Sequence, residues 1–202
     1  MTERADAIIE FWIGPAATDA SAAKARGKLW YQSTPASDEA LREKFGQDLK
    51  QAETGALDGW TQTADGTLAL VILLDQFSRN LYRGTAGAFA NDAKAQKVAL
   101  RAIDNDQHKS LSYVGRAFLY HPLHHSEDLA LHDRNVELFE ALLNEVDEPF
   151  KDQIDGFLHY AREHRDVIKR FGRFPHRNEV LGRESTPEEV AYLEGGASRY
   201  GQ

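Results

Sequence analysis

Cysteine is absent from the 202-residue chain, which excludes disulfides, thiolate metal sites and cysteine nucleophiles. No stretch approaches the roughly 18 consecutive apolar residues of a membrane-spanning helix. The opening MTERADAIIEFW carries Glu3 and Asp6 and lacks the basic start and apolar core of a secretion signal. Positive charge is in deficit: the net charge is -8, which argues against a general nucleic-acid binder. There is no glycine-rich phosphate loop, no Gly-x-Ser-x-Gly elbow and no dinucleotide fingerprint. Convincing period-two alternation is also lacking, so no stretch reads as a β-strand. These absences predict a soluble, cytoplasmic protein with no membrane or nucleic-acid partner.

What is present is helical patterning. Hydrophobic residues make up 42% and charged residues 28% of the chain, enough for a sizeable core. The chain reads as all-α, with roughly eight to ten helices. No linker or low-complexity segment divides it, so residues 1–202 are expected to form one domain. No repeat at the period of about 34 that marks regular tetratricopeptide arrays is visible.

The sequence is organised around LALVILLDQFSRNLYRG, residues 68–84. Leu70, Leu74, Phe77 and Leu81 fall on one helical face, and Asp75, Arg79 and Arg83 on a second. The first half is apolar all round, which predicts burial. The second half then presents Asp75, Gln76, Arg79, Asn80 and Arg83 where burial should continue. Buried charges must be paired or bound to something, so this half is either a solvated helix end or one wall of an internal pocket.

Other helices are read from caps and stripes. The first runs from Thr2, as cap, to Trp12. Leu29-Trp30-Tyr31 anchors a loop or short helix. Ser37 is read as the next cap, and the central helix begins near Gly66. Further helices cover 93–103 and 114–120, the latter interrupted at Pro122. Ser126 is read as the cap of a helix through Val146. Pro149 opens a long helix that ends at Gly172, and Thr186-Pro187-Glu188-Glu189 opens a terminal one.

Two further clusters carry chemistry. The first is His121 to Asp128, with His132 beyond it. Imidazoles with carboxylates suit zinc, manganese or iron, but the spacing does not match the zincin pattern, and Pro122 breaks the register that would align the histidines. No metal or other cofactor is therefore predicted. The second cluster is HRDVIKRFGRFPHRN, residues 164–178. Between Arg162 and Arg183 seven Lys/Arg face three Asp/Glu, a balance of +4 that leaves -12 for the rest. Such a basic island could hold an anion through guanidinium forks, or pair internally with acids such as Asp75 and Glu127.

The segments LLDQFSRNLYRGTAGAFANDAKA, HHSEDLALHDRNVELF and HRDVIKRFGRFPHRNEVLGRESTPEE resemble the bacterial domain-of-unknown-function 924 family, as do IIEFWIGP, LWY and LREKFG near the start. The resemblance covers nearly the whole chain. It implies an all-α, tetratricopeptide-like right-handed array of antiparallel helical hairpins, and no established activity. Its motif residues fall on Asp75, Gln76, Arg79, Asn80, Arg83, His125, Glu127, His164, Arg173, His176, Arg177 and Asn178, among others. His121, His124 and His132 lie outside that pattern.

Two functions follow as expectations. In the first, the chain is a binding module: Asp75, Gln76, Arg79, Asn80, Arg83, His164, Arg173, Arg177 and Asn178 surround a small anionic or peptidic ligand. In the second, it is a hydrolase- or lyase-type enzyme. His125 or His176 would then act as general base, Glu127 or Asp75 would orient it, and arginines would stabilise negative charge. Exposed arginines in an open groove favour the first. A closed pocket with a histidine–carboxylate pair favours the second.

Overall fold

Helix starts follow local capping chemistry. In the computed structural model, which describes residues 3–196, α1 spans Glu3–Trp12; the expected cap at Thr2 lies outside the described residues. Asp19 caps α2, Ala20–Tyr31, through Ser21 and Ala22 N–H, so the Trp30 patch ends a three-turn helix. Thr34, not Ser37, caps α3, Pro35–Thr54. Ser37 instead completes a capping box, and Pro35 sits at the first helical position, where its missing N–H costs nothing.

The central helix begins at Ala64 under a Thr63 cap. It comprises α4 (Ala64–Val71), a π-helical stretch Ile72–Phe77, and α5 (Ser78–Leu81). Every residue from Gly66 to Ser78 is buried. Leu68 through Leu74 fill the middle of the molecule, where α1, α6 (Asp92–Asp104) and α7 (Tyr113–His124) pack on α4. Trp12 meets Phe77 at 5.4 Å and Phe118 at 5.9 Å between ring centroids, and Phe118 meets Trp30 at 4.9 Å. Burying each such ring contributes about 1.5–3 kcal/mol.

α7 does not break at Pro122. It continues to His124 with Pro122 inside it, and all residues from Val114 to His124 are buried. A mid-helix proline costs about 3 kcal/mol, and burial of Phe118, Leu119, Tyr120 and Leu123 around it offsets that cost. Asp128, rather than Ser126, caps α8, Leu129–Glu145, through Ala130 N–H. A 3-10 turn at Glu148–Phe150 leads into α9, Lys151–Phe171. Gly172 stops α9 in the left-handed conformation, φ 70°. Thr186 and Glu189 form the capping box of α10, Pro187–Glu194.

With α4 and α5 taken as one, nine helices and no strand are found among the described residues. No described helix is long and apolar enough to cross a membrane.

Candidate functional site

The π-helical stretch carries Asp75 at the centre of the protein, with no exposed surface. A buried carboxylate needs partners, and Asp75 has three. Arg79 donates to Oδ1 at 2.9 Å, the His125 Nδ1–H donates to Oδ1 at 2.7 Å, and the Gln76 amide donates to Oδ2. Arg79 also spans both oxygens of Asp92 at 2.9 and 3.1 Å. Arg177 reaches Asp92 at 3.3 Å and the His125 carbonyl at 3.0 Å. Its guanidinium is held between the rings of Phe89 and Phe174, at 4.5 and 4.3 Å. The result is a buried chain of alternating charge, Asp75–Arg79–Asp92–Arg177.

Burial pushes the Asp92 carboxyl up, against the pull of Arg79 and Arg177. Burial also lowers Arg177 to about 10, with Arg79 adding to the shift. For Arg79, burial opposes the charge, but Asp75 and Asp92 outweigh it and raise its pKa.

Beside this chain lies a cluster of imidazoles. α7 ends with His121 and His124, His125 follows as its C-cap, and His164 comes across from α9. The Nδ1–H of His121 donates to the Ala117 carbonyl at 2.6 Å, and that of His164 to the Tyr160 carbonyl at 2.7 Å. His124 and His164 stack at 4.7 Å, and His124 meets His125 edge-on at 4.5 Å. The Nδ1 of His124 is buried and has no hydrogen-bond partner among the described residues. Such an orphan costs about 1–3 kcal/mol. Burial lowers His121, His124 and His125, and takes His164 down to about 3. All four rings are therefore neutral near pH 7, each with one nitrogen able to accept or ligate.

The imidazoles floor a cavity of about 230 Å³. Gln76, Arg79, Asn80 and Arg83 form one wall, Trp30 and Phe157 another. Arg83 is held by Asp38 at 3.1 Å and by Ser33, and Asn80 donates to the same carboxylate at 2.9 Å. Tyr31 and Tyr160, stacked at 6.1 Å, stand at the rim, about half exposed (50% and 46%). Imidazole, guanidinium and amide groups make up most of the lining, beside four aromatic rings, and such convergence of polar groups on one hollow marks a candidate small-molecule site.

Of the residues singled out in sequence, Gln76, Arg79, Asn80, Arg83, His125 and His164 line this cavity, and Asp75 and Arg177 bind its lining from behind. The others do not line it. Arg173 forks onto Glu189 at 2.7 and 2.8 Å, and Asn178 bonds Ser185 and Glu189. Glu127 accepts from the Phe174 N–H and from Arg183. His176 packs on Phe174, and burial lowers it to about 3. Arg173 and Asn178 fasten the segment after Gly172 to α10, and Glu127 fastens it to the α7–α8 turn. Four arginines were expected to surround one anion. Two of them converge, and the chain's own Asp92 stands between them.

Sequence reasoning does not single out Asp92 or the aromatic rim, and it names His121 and His124 without placing them in the site. Asp92 stands at the start of α6, where an acid is ordinary. The zincin spacing and the family pattern both leave His121 and His124 out, and Pro122 predicts a break in the register of His121 with His125; α7 runs through Pro122, so only that last ground falls.

Fold and cavity together define an all-helical protein with an internal, histidine-floored polar pocket. The chain belongs to the bacterial family of unknown function DUF924, whose sequence profile matches residues 8–197. It is similar to the solved structure of a protein of unknown function from Agrobacterium tumefaciens, at 39% identity and a TM-score of 0.81, over 96% of this chain and 98% of that one. No functionally curated protein matches it.

Proposed function

We propose that the chain binds a small acidic molecule, or the acidic end of a peptide, in the histidine-floored cavity. The observation that carries this reading is the cavity itself. Its Gln76–Asn80–Arg83 wall offers donors, and the Tyr31–Tyr160 rim offers flat apolar surface. Phosphate, sulfate and short dicarboxylates should raise the melting temperature. At a hundredfold excess over the dissociation constant the gain is about 2.7 kcal/mol. Arg83→Ala, at the partly open end of the wall, should remove the response. A wild-type protein indifferent to all of these, or an unchanged response in Arg83→Ala, counts against the reading.

A second reading, a hydrolase- or lyase-type enzyme, is favoured by one contact. The buried His125–Asp75 pair at 2.7 Å fixes the ring as the Nδ1–H tautomer, and Nε2 would then be a general base. Its test is turnover by the metal-free chain, lost in His125→Gln.

The finer fold assignment is part of the same proposal. Residues 1–202 form one domain whose helices stack as a right-handed tetratricopeptide-like array. In support, α6, α7, α8 and α9 each pack on the next in chain order.

A further inference from the structure

One nitrogen from each of His124, His125 and His164 lies within 4.8 Å of the others. We propose that these three imidazoles bind one divalent transition-metal ion, in the class that zinc represents, with a fourth position open to the cavity.

The donor set fits that class. Three neutral imidazoles with an open position are a known zinc arrangement, and imidazole ligands also suit copper, nickel and iron. Ligand nitrogens on zinc stand roughly 3.3 Å apart. Histidine ring torsions are broad, so modest ring rotations close the present spacing. The ring orientations are already set from outside. Asp75 holds Nδ1 of His125, and the Tyr160 carbonyl holds Nδ1 of His164, so Nε2 is the nitrogen with which each would coordinate. A carboxylate or backbone carbonyl behind a ligating histidine is the usual outer arrangement of metal sites. His124 is 3% exposed, and its orphaned Nδ1 would gain the ion as its partner. An unsatisfied buried group is itself a sign of a missing water or ion.

Charge is compatible with a cation. Arg79 and Arg177 lie nearby, but Asp75 and Asp92 offset them one for one. A divalent ion would then leave the floor net positive, which an acidic ligand at the open position would balance. Coordination uses the nitrogen of His125 that general-base catalysis needs, so the two roles of that ring exclude each other. The inference shares the cavity with the proposed function but rests only on the imidazoles. Metal binding without acid binding, or the reverse, separates the two.

The test is calorimetric titration of zinc chloride alone into the untagged, chelator-treated full chain. The expected result is one equivalent per chain. His124→Gln and His164→Gln should each weaken it by about a hundredfold or more, at least the loss typical of an outer-shell change. The exposed His159→Gln should leave it unchanged. No binding, or binding equal in all the variants, overturns the proposal. If a buried-site variant does not fold, X-ray absorption on the zinc-loaded wild-type chain decides. Scattering from three imidazoles supports the site, and fewer than three overturns it.

Discussion

Arg79 and Arg177 donate to the same carboxylate, Asp92, at 2.9 and 3.3 Å. They come from the central helix and from the turn after α9, so two distant segments meet on one side chain at the start of α6. Two guanidinium groups at such close quarters repel unless an anion stands between them. Here the anion is built into the chain.

Asp92→Ala should therefore strand two buried cations. Removing one member of a buried ion pair costs about 3–5 kcal/mol. Urea unfolding should show that loss as a lower midpoint with an unchanged slope. Sulfate should restore part of it in the variant while leaving the wild-type midpoint less affected. A loss below about 1 kcal/mol, the scale of an exposed pair, would show that the charges are solvated.

Stability should fall with acid well above the carboxylate range. Burial lowers seven histidines from their ordinary value: His108, His121, His124, His125, His132, His164 and His176. The unfolded chain takes up protons as pH drops through about 6.5, and the folded chain does not. The unfolded state then holds more protons, so stability is complete above that pH and is lost as pH falls below it. Well below 6.5, each ring kept neutral contributes a slope of about 1.4 kcal/mol per pH unit. Urea midpoints of chelator-treated protein should decline steadily from pH 7 to pH 5. A flat profile there would mean that the imidazoles protonate in place.

Glu189→Gln should loosen the C-terminal segment and leave the cavity alone. Glu189 is buried, takes the Arg173 fork and caps α10. Amide exchange should accelerate across residues 173–194, with little change in α7 and in α9 before residue 164. Loss of ligand or metal binding in this variant would show that Arg173 belongs to the site after all.

Two glycines should respond to alanine in opposite directions. A Cβ at Gly66 would collide with the Trp60 carbonyl, which is backbone and cannot swing away. Gly66→Ala should cost about 1–3 kcal/mol, as overpacking does. A Cβ at Gly27, inside α2, would meet nothing within 4 Å. Gly27→Ala should add about 0.5–1 kcal/mol through the unfolded chain's lost freedom. Thermal melts of the two variants that move in the same direction would reject this account.

Much of the fold was legible because helical faces and caps are local signals. The stripe of α9, from Ile154 to Ile168, and the stop at Gly172 needed nothing beyond neighbours in sequence. The apolar run before Asp75 narrows it to two readings, a solvated helix end or a pocket wall, and the fold decides for the second. Which acid or base each charge would meet was not legible, because pairing across the fold has no local signature. Arg173 and Arg177 sit four residues apart in one basic run, yet one serves α10 and the other the pocket. Pro122 misled for a related reason: its local penalty is fixed, while the burial that offsets it is tertiary.

The π-helical stretch Ile72–Phe77 has one more consequence. A π turn is an α turn with one extra residue, so the central helix reads as an ordinary helix interrupted by a one-residue insertion. Deleting a single residue there would let the backbone close into regular α geometry. The wide turn absorbs the extra residue, so the segments before and after it would stay in phase, and what the deletion would remove is the bulge on which Asp75 meets Gln76, Arg79 and His125. A relative lacking that one residue would keep its helices in phase and lose only the wide turn that carries the buried carboxylate.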